Sequence, residues 1–303
     1  MASSSTRDRI YVWWTQAIKA PDQLRQRIAF ALSEILVISD RGSELSRYPR
    51  GTTYYYDLLV GDAFGNYRHL LERVSVNPMM GIWLTHLRSS KLSPDENYPR
   101  ELMQLFSIGL TQLNQDGTPK RDSAGAPLAT YDQNVILDMS RALTGWAYGG
   151  SQSFYHTPST GVDSINPMIP FEEEHDRGAK TLLGGKVLPA GQTAMQDLQG
   201  ALDNVFGHPN VGPFICRRLI QRLVTSNPTP AYLYRVAGVF NDNGAGVRGD
   251  LGAVVKAILL DSEARERSPN AGAGKVREPI MRLANLLRAC YREPSGNPPT
   301  LGR

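Results

Sequence analysis

Apolar residues recur along most of this chain at spacings of three and four, the repeat of a helix with one buried face. In PDQLRQRIAFALSEILVIS (21–39), Pro21 and Asp22 stand at the start, and Leu24, Ile28, Ala31, Leu32, Ile35 and Leu36 form a stripe. The same pattern predicts helices over 53–65, 66–76 and, after Pro78, 79–87. Another runs over 131–146, with Val135, Ile136, Met139, Leu143 and Trp146 on one face. A shorter apolar segment, 10–18, stops before Pro21, and helical stretches 193–206, 209–226, 229–240, 250–261 and 276–290 fill most of the C-terminal third.

The helical pattern breaks twice. Over 111–130 it gives way to polar and turn-forming residues, with Asp116-Gly117 as a hairpin signal. The stretch 147–191 is loop-rich and aromatic, and within it KTLLGGKVLP predicts a tight two-strand turn around Gly184 and Gly185. No fixed-period repeat or linker of disordered composition divides the chain. The expectation is a mainly α fold: a single multi-helix globular domain over 1–303 with one or two small β-hairpins. Its ordered core would span about 10–291, between polar tails that include ASSST and EPSGNPPTLGR. The last helix lies so near the end that the chain looks cut from something longer.

Composition narrows the function classes. Apolar content of 41% and charged content of 20% are globular values. The 33 basic and 29 acidic residues are spread along the chain, so the small positive surplus marks no tail or stripe. Arg217, Arg218 and Arg222 share one helix but suit a solvated or salt-bridged face, and no nucleic-acid partner is expected. No apolar run approaches the roughly 18 residues of a membrane span, and MASSSTRDRI lacks the apolar core of an export signal. Cys216 lies in an apolar helix and reads as a buried free thiol, though a disulfide to Cys290 stays open.

Familiar catalytic motifs are missing. There is no Gly-x-Ser-x-Gly, and His69, His86, His156, His175 and His208 never take the His-Glu-x-x-His spacing. The glycine run AGAGKV (271–276) fails as a phosphate loop because the first glycine would fall on Pro269 and Val follows Lys275. NDNGAGVRGD (241–250) lacks the closing glutamate of a calcium loop. No cofactor and no resident metal are expected.

Two stretches retain chemistry. FEEEHDRGAK (171–180) gathers Glu172, Glu173, Glu174, His175 and Asp176, with Lys180 close behind. An adjacent carboxylate orients an imidazole for acid/base work, whereas the bland reading is an exposed acidic loop. The second is PDENYPRELMQLFSIGL (94–110). Pro99 suits a first helical turn, Asp95 or Asn97 can cap it, and the helix is predicted from about Tyr98 to Ile108, ending at Gly109. Arg100 and Glu101 would then sit near its positive end, with Glu101 half-buried. The bland alternative is a structural ion pair, with Arg27 or Glu34 as candidate partners.

ENYPRELMQLFSIGL closely resembles the signature of a bacterial family known as domain of unknown function 1800, in which Glu-Asn-Tyr-Ala-Arg-Glu-Leu is followed by Leu-Gly. Similar segments follow in family order: 23–39, 64–84, ALTGW (142–146), HDRGAKTLLG (175–184), 208–224 and 276–283. Pro99 replaces the family's usual Ala. The resemblance implies a helical fold and an extracytoplasmic setting, periplasmic or secreted, and it associates members with surface polymers without supplying a reaction.

These observations support two main expectations. The first is a hydrolase acting on glycosidic or similar bonds of a polysaccharide or oligosaccharide. Its acid/base residues would be Glu101, Asp176, His175 and Glu96, and its substrate contacts Asn97, Tyr98, Arg100, Trp146 and Lys180, with Trp83 as a further stacking candidate. The second is a non-catalytic binding or assembly module for a surface polymer or an exported partner, in which Arg100, Glu101, His175 and Lys180 form a polar network. A metal-dependent hydrolase using Glu172–Asp176 is weaker.

Overall fold

A computed structural model describes residues 5–156, 161–266 and 274–291. Thirteen α-helices dominate them, and the only sheets there are two antiparallel pairs of two-residue strands. The first helices are α1 (Thr6–Lys19), α2 (Gln23–Ser33), α3 (Pro49–Gly61), α4 (Tyr67–Ser75), α5 (Pro78–Trp83) and α6 (Asn97–Gln104). Then come α7 (Gln133–Ala142), β1 (Trp146–Ala147), β2 (Ile169–Pro170), β3 (Lys180–Thr181) and β4 (Val187–Leu188). The chain finishes with α8 (Ala194–Gly207), α9 (Val211–Leu223), α10 (Pro230–Asn241), α11 (Leu251–Leu260), α12 (Ser262–Arg265) and α13 (Pro279–Cys290). The mainly α expectation therefore holds.

One continuous core joins α2 to α11, built from the predicted stripes: Ile28 and Leu32 of α2, Leu70 and Val74 of α4, Leu102 of α6, and Leu219 and Ile220 of α9 are all buried. Side-chain caps set many helix starts. Asp132 accepts from the Val135 amide, Thr229 from Tyr232 and Asp250 from Ala253. Thr193 and Gln196 close a reciprocal capping box on α8.

Several boundaries differ from the periodicity. The α2 helix stops at Ser33, yet Ile35 and Leu36 remain buried, so the apolar stripe outlasts the helix. After α5 the chain turns through Thr85 (φ 62°) and Arg88 (φ 64°), the two non-glycine residues in the left-handed region among those described. The predicted 131–146 helix is shorter at both ends, because Asp132 caps it and Gly145 (φ 88°) redirects the chain into β1. The β1–β2 pairing, Trp146 opposite Pro170, had no sequence signal. Of the two hairpins, β3–β4 forms around Gly184 and Gly185 as predicted. Over 111–130 only single bridges form, such as Thr111 with Ala129, and no regular strand.

Cys216 is a buried free thiol and Cys290 an exposed one, so no disulfide joins them. Residues 1–4, 271–273 and 293–303, which hold most of the expected tails and part of the glycine run, lie outside the described residues. No helix among the described residues is long and apolar enough to cross a membrane.

Candidate functional site

The FEEEHDRGAK stretch is wrapped into the protein interior. Its anchor is Asp197, in the first turn of α8, fully buried on the same face as Ala194, Leu198 and Ala201. Asp197 Oδ2 lies 3.0 Å from His175 Nε2 and 2.5 Å from Lys180 Nζ. His175 Nδ1 lies 3.0 Å from the Thr144 carbonyl oxygen, so both ring nitrogens face acceptors. Lys180 also donates to the carbonyls of Asp176 and Gly178.

Around this core, Arg141 of α7 grips Asp176 through two parallel bonds of 2.9 and 3.0 Å and reaches Asp138 at 2.6 Å. Burial alone would raise the Asp176 pKa, but the Arg141 guanidinium, the Gly178 amide and Lys180 outweigh it and hold the carboxyl below the usual range. Two cations (Lys180, Arg141) and the His175 ring meet three carboxylates (Asp138, Asp176, Asp197). The set joins α7, β3 and α8.

Such an arrangement is poorly suited to acid/base work on a substrate. His175 and Lys180 are each 1% exposed and Asp197 is 0% exposed, so a polymer has no route to them. Asp176 is held ionised, which disfavours it as a general acid, and its two oxygens are engaged by Arg141. Glu172 accepts from the first α8 amide, that of Ala194, at 3.1 Å, and the backbone carbonyls of Glu173 and Glu174 receive Lys91. Among the described residues no three His, Cys, Asp or Glu side chains gather as metal ligands.

The ENYPREL stretch is different. The α6 helix begins at Asn97, with Asp95 Oδ1 accepting from the Asn97 amide at 2.8 Å. Pro99 is the third helical residue and buried; Arg100 and Glu101 follow it, beyond the first three residues where the dipole acts most strongly. The helix stops at Gln104 and unwinds through wide bonds, Phe106 N–H to Glu101 O and Gly109 N–H to Met103 O. The helix thus ends four residues before the predicted Ile108, but Gly109 does close the unit. Its φ is 71°, and a Cβ there would stand 2.6 Å from the Phe214 ring of α9. Buried Asn210 then ties the exit down, donating to the Ile108 and Thr111 carbonyls.

At the other end of α6 a polar rim faces solvent. Glu96 accepts from Arg100 and Gln133, both at 2.9 Å. Thr85, held at its positive φ, donates to Asp95 at 3.0 Å and receives Asn97 Nδ2 at 3.3 Å. A β-branched residue in the left-handed region is sterically costly, and such strain gathers where a loop must present particular groups. Glu101 is half-buried and its Oε2 is enclosed with no hydrogen-bond partner among the described residues. The enclosed Tyr131 hydroxyl is also unpartnered; burial raises its pKa, with Arg100 and Glu101 near enough to act on it. The expected ion pair of Arg100 or Glu101 with Glu34 or Arg27 does not form: Arg27 donates to the Arg222 carbonyl, and Glu34 faces Arg222 at 3.7 Å.

The loop between α5 and α6 separates the two stretches. Arg88 and Ser89 bond to Trp146 and Gly145, and Lys91 to Glu174. The sequence candidates therefore divide into two groups with no hydrogen bond joining them among those described. His175, Asp176 and Lys180 lie inside one; Glu96, Asn97, Arg100 and Glu101 form the other. Neither expected sugar platform is open. Tyr98 is fully buried, stacked 4.0 Å from His86 with its hydroxyl 2.6 Å from Ser75 Oγ, and Trp146 is 2% exposed. Trp83 is half-exposed. Of the suspected basic helix face, Arg217 bonds to the Gly117 carbonyl, Arg218 lies over Phe214 and Arg222 faces Glu34.

Asp197, Arg141 and Thr144 escaped the sequence reading. The one available signal was an acidic residue, Asp197, on an otherwise apolar helix stripe.

The shared motifs thus supply both the helix end and the buried charge cluster. The model of the family described as "protein of unknown function (DUF1800)" matches residues 2–301. The chain belongs to this family. No curated protein and no solved structure matches the chain. Of the segments that carry the resemblance, ENYPREL builds the α6 start, and HDRGAK builds the interior clamp.

Proposed function

We propose that this chain is a non-catalytic binding and assembly module, engaging a surface polymer or exported partner through the polar rim at the start of α6. The observation that carries this reading is the closure of the His175–Asp197–Lys180 cluster, whose side chains are at most 1% exposed and paired among themselves. The groups best suited to proton transfer hold the fold, and the solvent-facing polar groups are Asp95, Glu96, Asn97 and Arg100. An extracytoplasmic setting, as the family resemblance implies, fits a module of this kind.

The test is binding of the purified chain to a panel of bacterial exopolysaccharides, with reducing-end release measured in parallel. Asn97→Ala and Arg100→Ala should weaken binding about tenfold or more without altering the melting temperature, and no reducing ends should appear. Release of reducing ends that stops in Glu101→Gln would overturn the proposal.

That outcome would favour the second reading, a glycosidic hydrolase, for which one observation speaks. Glu101 carries an enclosed carboxylate oxygen with no hydrogen-bond partner, within electrostatic reach of the equally unpartnered Tyr131 hydroxyl, and a glycosidase needs such a carboxyl beside a second one. Glu96, held by Arg100 and Gln133, would be the second carboxyl group.

A further inference from the structure

Away from both stretches, α1, α2 and α3 enclose a cavity of about 440 Å³, a size typical of small-molecule sites. Its walls are aromatic: Trp13 and Trp14 of α1, Phe30 of α2 and Tyr56 of α3. The two indoles meet edge to face with centroids 5.1 Å apart, and Trp13 lies 5.7 Å from Phe30. The Trp13 ring N–H donates to the Tyr56 hydroxyl at 3.0 Å, which fixes both rings. Burial pushes the Tyr56 phenol up to about 12, so it is neutral at ordinary pH.

Polar wall groups are largely consumed by the protein itself. The hydroxyls of Ser33, Thr52, Thr53 and Tyr55 all donate to backbone carbonyls. A sugar, which needs several free donors and acceptors, would be poorly served. Three charged residues line the space: Arg9, Asp40 and Asp57. Arg9 and Asp40 neutralise each other at 2.5 Å, so Asp57 leaves the lining with a net negative charge. A neighbouring cavity shares Trp13, Phe30 and Tyr56 but carries Arg27, Arg277 and Arg288 and no carboxylate. Opposite fields therefore stand on the two sides of one aromatic partition.

Aromatic faces with a carboxylate and few free hydrogen-bond donors match one ligand chemistry. We propose that the cavity between α1, α2 and α3 binds an apolar organic cation of the quaternary-ammonium class, held on the faces of Trp13, Trp14 and Tyr56 with Asp57 at its edge. Ring quadrupoles attract such a cation without demanding hydrogen bonds, and the excess carboxylate supplies the countercharge. The site shares no residue with the α6 rim, so its failure and that of the binding-module reading are separable.

Titration of tryptophan fluorescence with choline, its neutral carbon isostere dimethylbutanol, and a disaccharide tests this, with calorimetry as a second readout. Choline should bind about tenfold or more tighter than the isostere, the size expected of a desolvated cation–π contact. Asp57→Asn should weaken choline several-fold and leave the isostere unchanged, and Trp14→Leu should weaken choline further. Circular dichroism checks that Trp14→Leu folds; if it does not, Asp57→Asn alone decides. Equal binding of choline and isostere, preference for the disaccharide, or an unaltered choline affinity in Asp57→Asn would overturn the proposal.

Discussion

Two charged clusters of this molecule draw on the same residue types and treat them in opposite ways. In the clamp, His175, Lys180 and Arg141 are matched against Asp138, Asp176 and Asp197 with almost no exposure at its centre. At the α6 rim, Glu96 and Arg100 are about a third or more exposed, Thr85 is strained, and Glu101 keeps an oxygen unpaired. Buried charge is tolerated only when it is paired and hydrogen-bonded, so the clamp reports on folding. Exposed charge is worth little to stability, so the rim is free to serve recognition.

Removing one partner from the clamp gives the largest expected effect. Lys180→Met leaves Asp197, already carrying an enclosed unpartnered Oδ1, with only His175, and should cost ~3–5 kcal/mol in urea unfolding. A loss below about 1 kcal/mol would erase the contrast between the clusters.

A second effect comes from His86, buried between them. Its Nε2 donates to the Ser75 carbonyl at 2.8 Å, and desolvation lowers its pKa to about 4 although that bond raises it. The folded value lies below the unfolded one of about 6.5, so the unfolded chain binds the proton more tightly. The stability contribution is thus fully present above about pH 6.5 and lost as pH falls towards 4, by up to ~3 kcal/mol. Unfolding free energies measured between pH 7 and pH 4.5 should fall in the wild type and flatten in His86→Gln.

Smaller still, Arg141→Lys keeps the charge but loses the two-pronged hold on Asp176, at about 1–3 kcal/mol by urea unfolding. The smallest effect is at the rim. Glu101→Gln keeps the side chain's shape around an oxygen that has no hydrogen-bond partner to lose, so stability should change by less than about 1 kcal/mol while polymer binding falls. A large stability loss there would make the rim a second clamp.

These clusters also mark how far the sequence could be read. Periodicity located nearly every long helix because Leu32, Leu70, Leu102 and Ile220 had to face one core. It overran α2, α6 and α7, since buried stripes continue into turns that only Asp132, Gly145 and Gly109 decide. ENYPREL correctly placed Pro99 inside a helix start; of the two caps it offered, Asp95 accepts from the first helical amide while Asn97 is itself helical, and Glu96 holds the cap position. The clamp was half legible: His175, Asp176 and Lys180 are adjacent in sequence, but Asp197, Arg141 and Thr144 reach them only through tertiary packing. The aromatic cavity was not legible, because Trp13 and Tyr56 meet only when α1 crosses α3.

The most direct test of the clamp is a double-mutant cycle on Lys180→Met and Asp197→Leu, followed by urea unfolding. A structural clamp predicts two costly single variants, a double variant little worse than either, and a coupling of about 2–3 kcal/mol. Additive, small losses accompanied by loss of a hydrolytic activity would contradict it.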